Sequence, residues 1–96
     1  MTEFSKLLKE CRTKIGLTQY SIAKNMNIAK AEYAMYENAM RLPKKEKFEE
    51  LNQHFNFEQF EIKEVIQDKV LDYIENADIY ELFQLEWKLE NIMRKN

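Results

Sequence analysis

The side chains best suited to covalent chemistry are few and isolated in this sequence. His54 is the single histidine and has no partner set for a metal site or a catalytic triad, so we expect a surface or packing role. Cys11 is the single cysteine, which excludes a zinc-binding thiolate cluster, and it lies on the apolar side of a predicted helix. There is no glycine-rich phosphate loop, and no carboxylate pair has a reason to be perturbed. We therefore expect no enzymatic activity, no cofactor and no metal.

Basic side chains are the remaining groups that could bind a ligand, and they concentrate in the first half of the chain. Residues 1–55 contain ten Lys or Arg and seven Asp or Glu, whereas residues 56–96 contain five and ten. The resulting charges of +3 and −5 sum to the net charge of −2. A basic region joined to an acidic one indicates two regions with different functions.

The composition favours an all-α protein. Glycine and proline occur once each, at Gly16 and Pro43, and β-strands would need more turn residues than this. A chain of 96 residues fits one small domain or a minimal domain with an extension. No apolar run approaches the roughly 18 residues of a membrane span, and no leader pattern opens the chain, so we expect a cytoplasmic protein without a membrane partner.

Capping residues and apolar spacing define the first two helices. Thr2 is a suitable N-cap and Gly16 a suitable stop for the first helix. Its apolar stripe consists of Phe4, Leu7, Leu8, Cys11 and Ile15. Thr18 opens a second helix that ends near Asn25, with Ile22 and Ala23 facing inward. Asn27 then suits a sharp turn, because asparagine tolerates the left-handed backbone conformation.

The third and fourth helices follow closely. The third is predicted from Ala29 to Glu37, with Tyr33 and Tyr36 facing inward. Its separation of about three residues from the second helix is the spacing of a helix-turn-helix motif, in which the second helix of the pair is presented to the DNA major groove. Pro43 suits the first turn of a fourth helix. The inward residues of that helix are Phe48, Leu51 and Phe55.

Two further amphipathic helices are predicted in the back half. Asn56 with Gln59 resembles a capping box for a fifth helix, and Asp78 with Glu81 repeats this signature for a sixth. The sixth helix has the apolar spacing of helix-on-helix packing. We expect residues 57–96 to mediate homodimerisation, with the participants Leu82, Leu85, Trp87, Leu89 and Ile92. The alternative is that these helices fold back onto the core of their own monomer.

Several short motifs fall on the capping and turn positions of the first four helices. They are Leu8-Lys9-Glu10-Cys11-Arg12, Gly16-Leu17-Thr18-Gln19, Ile22-Ala23, Asn27-Ile28, Tyr36-Glu37-Asn38 and Arg41-Leu42-Pro43. Over a little more than half of the chain this pattern closely resembles the Xre-type helix-turn-helix family, of lambda-repressor and Cro type. The resemblance implies a lambda-repressor-like helical bundle over residues 1–56, extended by a helical hairpin over residues 57–96. It also implies a small bacterial or phage transcription regulator that binds double-stranded DNA.

The resemblance further implies roles for individual residues. Arg12 and Glu37 correspond to a structural charge pair, Gln19 to a phosphate contact, and Thr18 to a helix cap that also touches phosphate. The positions that read bases correspond to Lys30, Ala31, Glu32, Ala34 and Met35. A lysine at the first of them can donate to guanine or to phosphate, while a glutamate suits the cytosine amine but repels phosphate. The positions that contact the DNA backbone correspond to Arg41, Lys44 and Lys45, where the start of a helix adds its positive end.

Three positions depart from the family pattern. Ala29 replaces the serine or threonine that caps the recognition helix, Ala39 replaces a glycine, and Asn27 replaces the glycine of the turn. Two functions are therefore considered. One is a repressor-type regulator that binds an inverted-repeat operator as a homodimer. The other is a protein-interaction module on the same scaffold, such as an antitoxin or a phage-encoded inhibitor of a host protein, with or without autoregulatory DNA binding.

Overall fold

The computed structural model describes residues 2–57 and 78–94 of the chain. These residues form five α-helices, and none of them lies in a β-strand. The helices are α1 (Glu3–Ile15), α2 (Gln19–Asn25), α3 (Lys30–Glu37), α4 (Lys45–Phe55) and α5 (Ile79–Arg94). The predicted all-α fold class is confirmed, while the predicted fifth helix falls on residues 58–77, outside the described residues. Within the described ranges, no helix has the length and apolar character needed to cross a membrane.

Side-chain caps and positive backbone angles set most helix ends at the predicted places. The hydroxyl oxygens of Thr2 and Thr18 each accept a hydrogen bond at 3.0 Å from the backbone N–H three residues later. Asp78 accepts in the same way at 2.9 Å before α5. Gly16 ends α1 at φ 86°, and Asn27 follows α2 at φ 57°. These local signals therefore act as the sequence predicts.

Two helix ends differ from the prediction. Pro43 does not lie in the first turn of α4, because Lys44 is the extended N-cap residue and the helix begins one residue later. Asn56 ends α4 in the left-handed conformation at φ 49°. An N-cap residue has extended backbone angles, so Asn56 is not the N-cap of a following helix.

The buried apolar side chains of all five helices form one cluster. From α1 to α4 they are Phe4, Leu7, Leu8, Cys11, Ile22, Ala23, Tyr33, Tyr36, Phe48, Leu51 and Phe55, and from α5 they are Ile79, Leu82 and Phe83. The inward residues predicted for the second, third and fourth helices are confirmed. The prediction that Ile15 belongs to the apolar stripe of α1 is wrong. Ile15 is exposed, because α1 ends there and Leu17 packs against the core instead.

Aromatic rings join α5 to the rest of the molecule. The Phe83 ring centroid lies 4.8 Å from that of Phe4 and 5.9 Å from that of Phe48. Phe57 lies 6.2 Å from Phe83, and Tyr80 lies 4.8 Å from Phe48. Each fully buried ring contributes about 1.5–3 kcal/mol to folding. Helix α5 thus packs against its own chain, while the dimer and the domain boundary at residue 56 both stay predictions.

Polar side chains of α5 bind main-chain atoms of the preceding helices. The two carboxylate oxygens of Glu86, a buried residue, each accept from the Glu3 N–H at 2.9 Å. A carboxylate here neutralises the positive end of the α1 dipole. Trp87 Nε1 donates to the Ala39 carbonyl at 3.1 Å, and the Tyr80 hydroxyl donates to the Pro43 carbonyl at 2.8 Å. Helix α5 is therefore held at the start of α1 and along the segment between α3 and α4.

Candidate nucleic-acid interface

The turn between α2 and α3 is held by backbone hydrogen bonds and by a lysine from α4. The N–H of Ile28 donates to the Ala23 carbonyl at 3.0 Å, and the N–H of Asn27 donates to the Lys24 carbonyl at 3.1 Å. Lys47 Nζ reaches the Met26 carbonyl at 3.0 Å. This turn presents α3 at a defined angle to α2, the arrangement that a helix-turn-helix requires.

A buried ion pair ties the end of α3 to α1. Arg12 Nε lies 2.6 Å from Glu37 Oε2, and Arg12 Nη2 lies 3.1 Å from Glu37 Oε1. The third guanidinium nitrogen, Nη1, donates to the Leu17 carbonyl at 2.8 Å. The side chain of Glu37 is only 2% exposed. Because a guanidinium holds a carboxylate with two parallel bonds, this pair fixes both the distance and the orientation of the two helices.

The electrostatics around Glu37 favour its charged form. Burial by itself would raise the pKa of Glu37, but Arg12, Tyr33 and Gln19 together hold that pKa below its ordinary value. Gln19 Nε2 donates to Glu37 Oε1 at 3.1 Å. Gln19, which is expected to contact a phosphate, thus also supports the Arg12–Glu37 ion pair. The pKa of the Tyr33 hydroxyl is raised, first by burial and then by the neighbouring Glu37 carboxylate, so this phenol stays neutral.

The residues expected to read bases lie on the outer side of α3. Lys30, Ala31 and Met35 are exposed, while Glu32 and Ala34 are half-buried. The Ala29 N-cap makes no side-chain hydrogen bond, in keeping with the missing hydroxyl. In a major groove, a lysine can donate to guanine and an alanine can contact a thymine methyl group. The carboxylate of Glu32 lies 3.4 Å from Arg41 Nη1, which offsets the repulsion between Glu32 and phosphate.

The cationic residues expected to contact the DNA backbone follow α3 in the sequence, and one of them, Arg41, reaches Glu32 of α3 at 3.4 Å. Arg41, Lys44 and Lys45 are all exposed, and the last of them is the first residue of α4. The Lys44 N-cap makes no side-chain hydrogen bond. A helix start without a side-chain cap presents backbone N–H groups that can bind phosphate. Arg41, Lys44 and Lys45 are therefore all accessible to a phosphate.

Sequence reasoning missed two further groups next to α3. Tyr20 is exposed and lines a cavity of about 310 Å³ together with Lys24 and Lys30. The signal for Tyr20 was its place beside Gln19 on a helix whose inward residues are Ile22 and Ala23, which leaves position 20 on the outer side. The second group is a pair of hydrogen bonds from α5 to loop carbonyls, one from Tyr80 and one from Trp87, a residue that the sequence predicted only as a dimer contact. It has no sequence signal because the acceptors are main-chain atoms.

The residues predicted to dimerise fall into two groups. Leu82 is fully buried within its own chain, Leu85 is half-buried against the same core, and Trp87 is half-buried. Leu89 and Ile92 are 43% and 59% exposed. Leu82 cannot take part in the predicted dimer contact, because its side chain is already buried in its own core. Leu89 and Ile92 are the exposed apolar residues of the predicted set.

The two reactive side chains considered at the start lie away from this surface. Cys11 is buried in the core, where burial raises the pKa of its thiol. His54 is exposed near the end of α4, with its ring 6.4 Å from that of Phe55. In the part of the chain that the structure describes, no three His, Cys, Asp or Glu residues are grouped to hold a metal ion.

A short helix pair on a helical support, with its second helix exposed and followed by cations, is typical of a helix-turn-helix protein. A family model described as helix-turn-helix matches residues 8–58, more than half of the chain. The chain belongs to this family, that of the Xre-type and lambda-repressor-like helix-turn-helix proteins, which are DNA-binding regulators. The predicted family is confirmed, and α5 lies beyond the matched segment. Neither the search of curated proteins nor the search of solved structures found a match.

Proposed function

We propose that this protein is a repressor-type transcriptional regulator of phage or bacterial origin that binds an inverted-repeat operator as a homodimer. Helix α3 enters the major groove, and the cations after it contact the phosphates of the same duplex. The observation that carries the proposal is the exposed outer side of α3, set on a support locked by the buried Arg12–Glu37 pair.

The placement of α5 supports this function. Its polar contacts reach the start of α1 and the segment after α3, and its rings pack against Phe4 and Phe48. Among the described residues, these contacts leave Lys30 and Ala31 exposed. The side of α3 that would face bases is therefore accessible in the described part of the fold.

Binding to an inverted repeat requires two copies at a defined spacing. Two linked helix-turn-helix units address half-sites about one helical turn apart, and their affinities multiply. We assign the contact between copies to Leu89 and Ile92, since these side chains of α5 are exposed.

Sedimentation tests the dimer. We expect Leu89→Glu with Ile92→Glu to be monomeric at concentrations where the wild type is dimeric, because a buried contact cannot accept unpaired charges. Ile15→Glu is the matched control, since Ile15 is an equally exposed isoleucine on α1. A wild-type monomer at high micromolar concentration would contradict the dimer.

Selection of bound fragments from random duplex DNA tests the operator. We expect a palindromic sequence to be enriched and to resist competitor DNA. Lys30→Ala should weaken binding to it at least several-fold, whereas Lys9→Ala, on the exposed side of α1, should not. Equal binding by both variants would refute the placement of α3.

The second candidate is a protein-interaction module, such as an antitoxin or an inhibitor of a host protein. The exposed Leu89 and Ile92, on a helix of the acidic half of the chain, favour it. The selection from random duplex DNA separates the two candidates. If it enriches no sequence and all duplex binding is lost at moderate salt, the protein has no operator, and the exposed side of α5 is the functional surface.

A further inference from the structure

A groove of about 230 Å³ lies on the surface where α5 meets the segment that follows α3. Its lining is Arg41, Leu42, Pro43 and Lys44 from that segment, and Tyr80, Gln84, Trp87 and Lys88 from α5. Three of these residues are cations, and among the described residues of the lining there is no acidic side chain. The groove is therefore a cationic cleft with two aromatic rings on one wall.

Helix α5 builds this cleft through contacts to main-chain atoms. Tyr80 and Trp87 donate to the carbonyls of Pro43 and Ala39, at 2.8 and 3.1 Å. Their donors are thus already used, and their rings serve as a rigid wall. Lys88 follows Trp87 directly and is exposed. It lines the groove together with Arg41 and Lys44.

The charge pattern of α5 makes Lys88 exceptional. The other charged side chains of residues 79–94 are three glutamates and Arg94. Of the glutamates, Glu86 is buried against the start of α1. Lys88 is thus a cation in the acidic half of the chain, and it lines the groove with two other cations, Arg41 and Lys44. Arg41 is paired with Glu32, 3.4 Å away, so Lys44 and Lys88 carry most of the positive charge of the cleft. Like charges at one cleft repel each other, and an anion bound between them offsets that repulsion.

We propose that α5 extends the DNA-binding surface, with Lys88 binding a backbone phosphate next to those contacted by Arg41 and Lys44. The inference rests on the proposed function, and it concerns a helix outside the matched residues 8–58. A duplex is favoured over an acidic peptide because two residues of the cleft, Arg41 and Lys44, are also proposed backbone contacts of the helix-turn-helix unit. The proposed DNA-binding surface then includes Lys30, Arg41, Lys44 and Lys88.

Salt-dependent binding to a duplex tests this proposal. The probe is a fluorescently labelled duplex of about 20 base pairs and mixed sequence, titrated with the full chain at about 50–200 mM salt, where phosphate contacts dominate. We expect Lys88→Gln to reduce the slope of log K against log salt by about one per chain and the affinity about five- to ten-fold at 0.1 M salt. Lys88→Arg should retain both. Circular dichroism should show the same helix content in all variants.

Lys9→Gln is the matched control, because it removes one charge from an exposed site on α1, outside the cleft. If Lys88→Gln behaves like Lys9→Gln, the inference is overturned while the proposed function stands. If the wild type does not bind the duplex even at about 50 mM salt, both fail together. Binding of a polyglutamate peptide that depends on Lys88, without any effect of Lys88→Gln on the duplex, would also overturn the inference.

Discussion

The helix-turn-helix unit and helix α5 are held in place by different kinds of contact. In the helix-turn-helix unit, short-range caps set helix ends. An ion pair between the side chains of Arg12 and Glu37 also fixes α3 against α1. Helix α5 is joined by aromatic packing and by side chains that bind main-chain atoms, as Glu86 and Trp87 do. Both regions share one hydrophobic core, to which the helix-turn-helix unit adds an ion pair between side chains and α5 adds side-chain hydrogen bonds to main-chain atoms.

Because of this difference, we expect the two regions to respond differently to substitutions. The caps depend on residues within one helical turn, whereas the Arg12–Glu37 pair joins residues 25 positions apart in the sequence. A helix held by a shared core depends on distant rings being in place. Disruption of either region should therefore have effects of different size and character, which the following variants measure.

The largest effect is expected for Phe83→Ala. Phe83 is fully buried, and its ring contacts those of Phe4 and Phe48. Removing it leaves a cavity in the shared core, so urea denaturation should show a loss of about 3–5 kcal/mol in a single transition. Ile15→Ala, at an exposed isoleucine, should change stability by no more than about 0.5 kcal/mol. A loss below about 1 kcal/mol for Phe83→Ala would mean that α5 is not part of the same folding unit.

The next effect is expected for Arg12→Ala, in the first region. This change leaves the Glu37 carboxylate buried without its guanidinium partner, which should cost about 3 kcal/mol in denaturant unfolding. The double variant Arg12→Met with Glu37→Leu removes both charges and should recover most of the loss. If the double variant is no more stable than Arg12→Ala, the cost comes from lost packing and not from the unpaired charge.

A smaller effect, of opposite sign, is expected for Ala39→Gly. Ala39 lies at φ 60°, a conformation that an alanine adopts only with strain. Glycine relieves this strain, so the variant should be more stable by about 0.5–1 kcal/mol, measured by thermal unfolding. Asn27→Gly is the control, and it should gain less because asparagine tolerates φ 57°. A destabilised Ala39→Gly would show that the buried methyl group matters more than the strain.

The smallest effect is expected in the pH dependence of stability. The folded pKa of Glu37 is depressed, so its charged form stabilises the fold above the ordinary value of 4.5, and this contribution is lost as the pH falls through the lower folded value. The wild type should therefore lose part of its stability advantage over Glu37→Gln at acidic pH. Thermal unfolding from about pH 7 down to pH 3 measures the difference. A difference that stays constant over this range would contradict the depressed pKa.

Much of the helix-turn-helix unit could be predicted from the sequence because its determinants are local. Thr18 caps α2, Asn27 adopts the left-handed turn, and Tyr33 and Tyr36 face inward at a spacing of three. Such features depend on side-chain chemistry within one or two turns of helix. The pairing of Arg12 with Glu37 is a longer contact, and it could be anticipated only through the family resemblance.

The fate of α5 depended on the tertiary structure. Its apolar spacing fits equally well a contact with a second copy and a contact with its own core, because both bury the same kind of surface. The three-dimensional packing places Leu82 and Phe83 in the core and leaves Leu89 and Ile92 exposed. The acceptors of Tyr80 and Trp87 are backbone carbonyls, which every residue possesses, so no residue type marks them in a sequence. What the sequence determined was the identity and ends of the local helices, and what only the tertiary structure decided was which surface of α5 is covered and which cations it brings together.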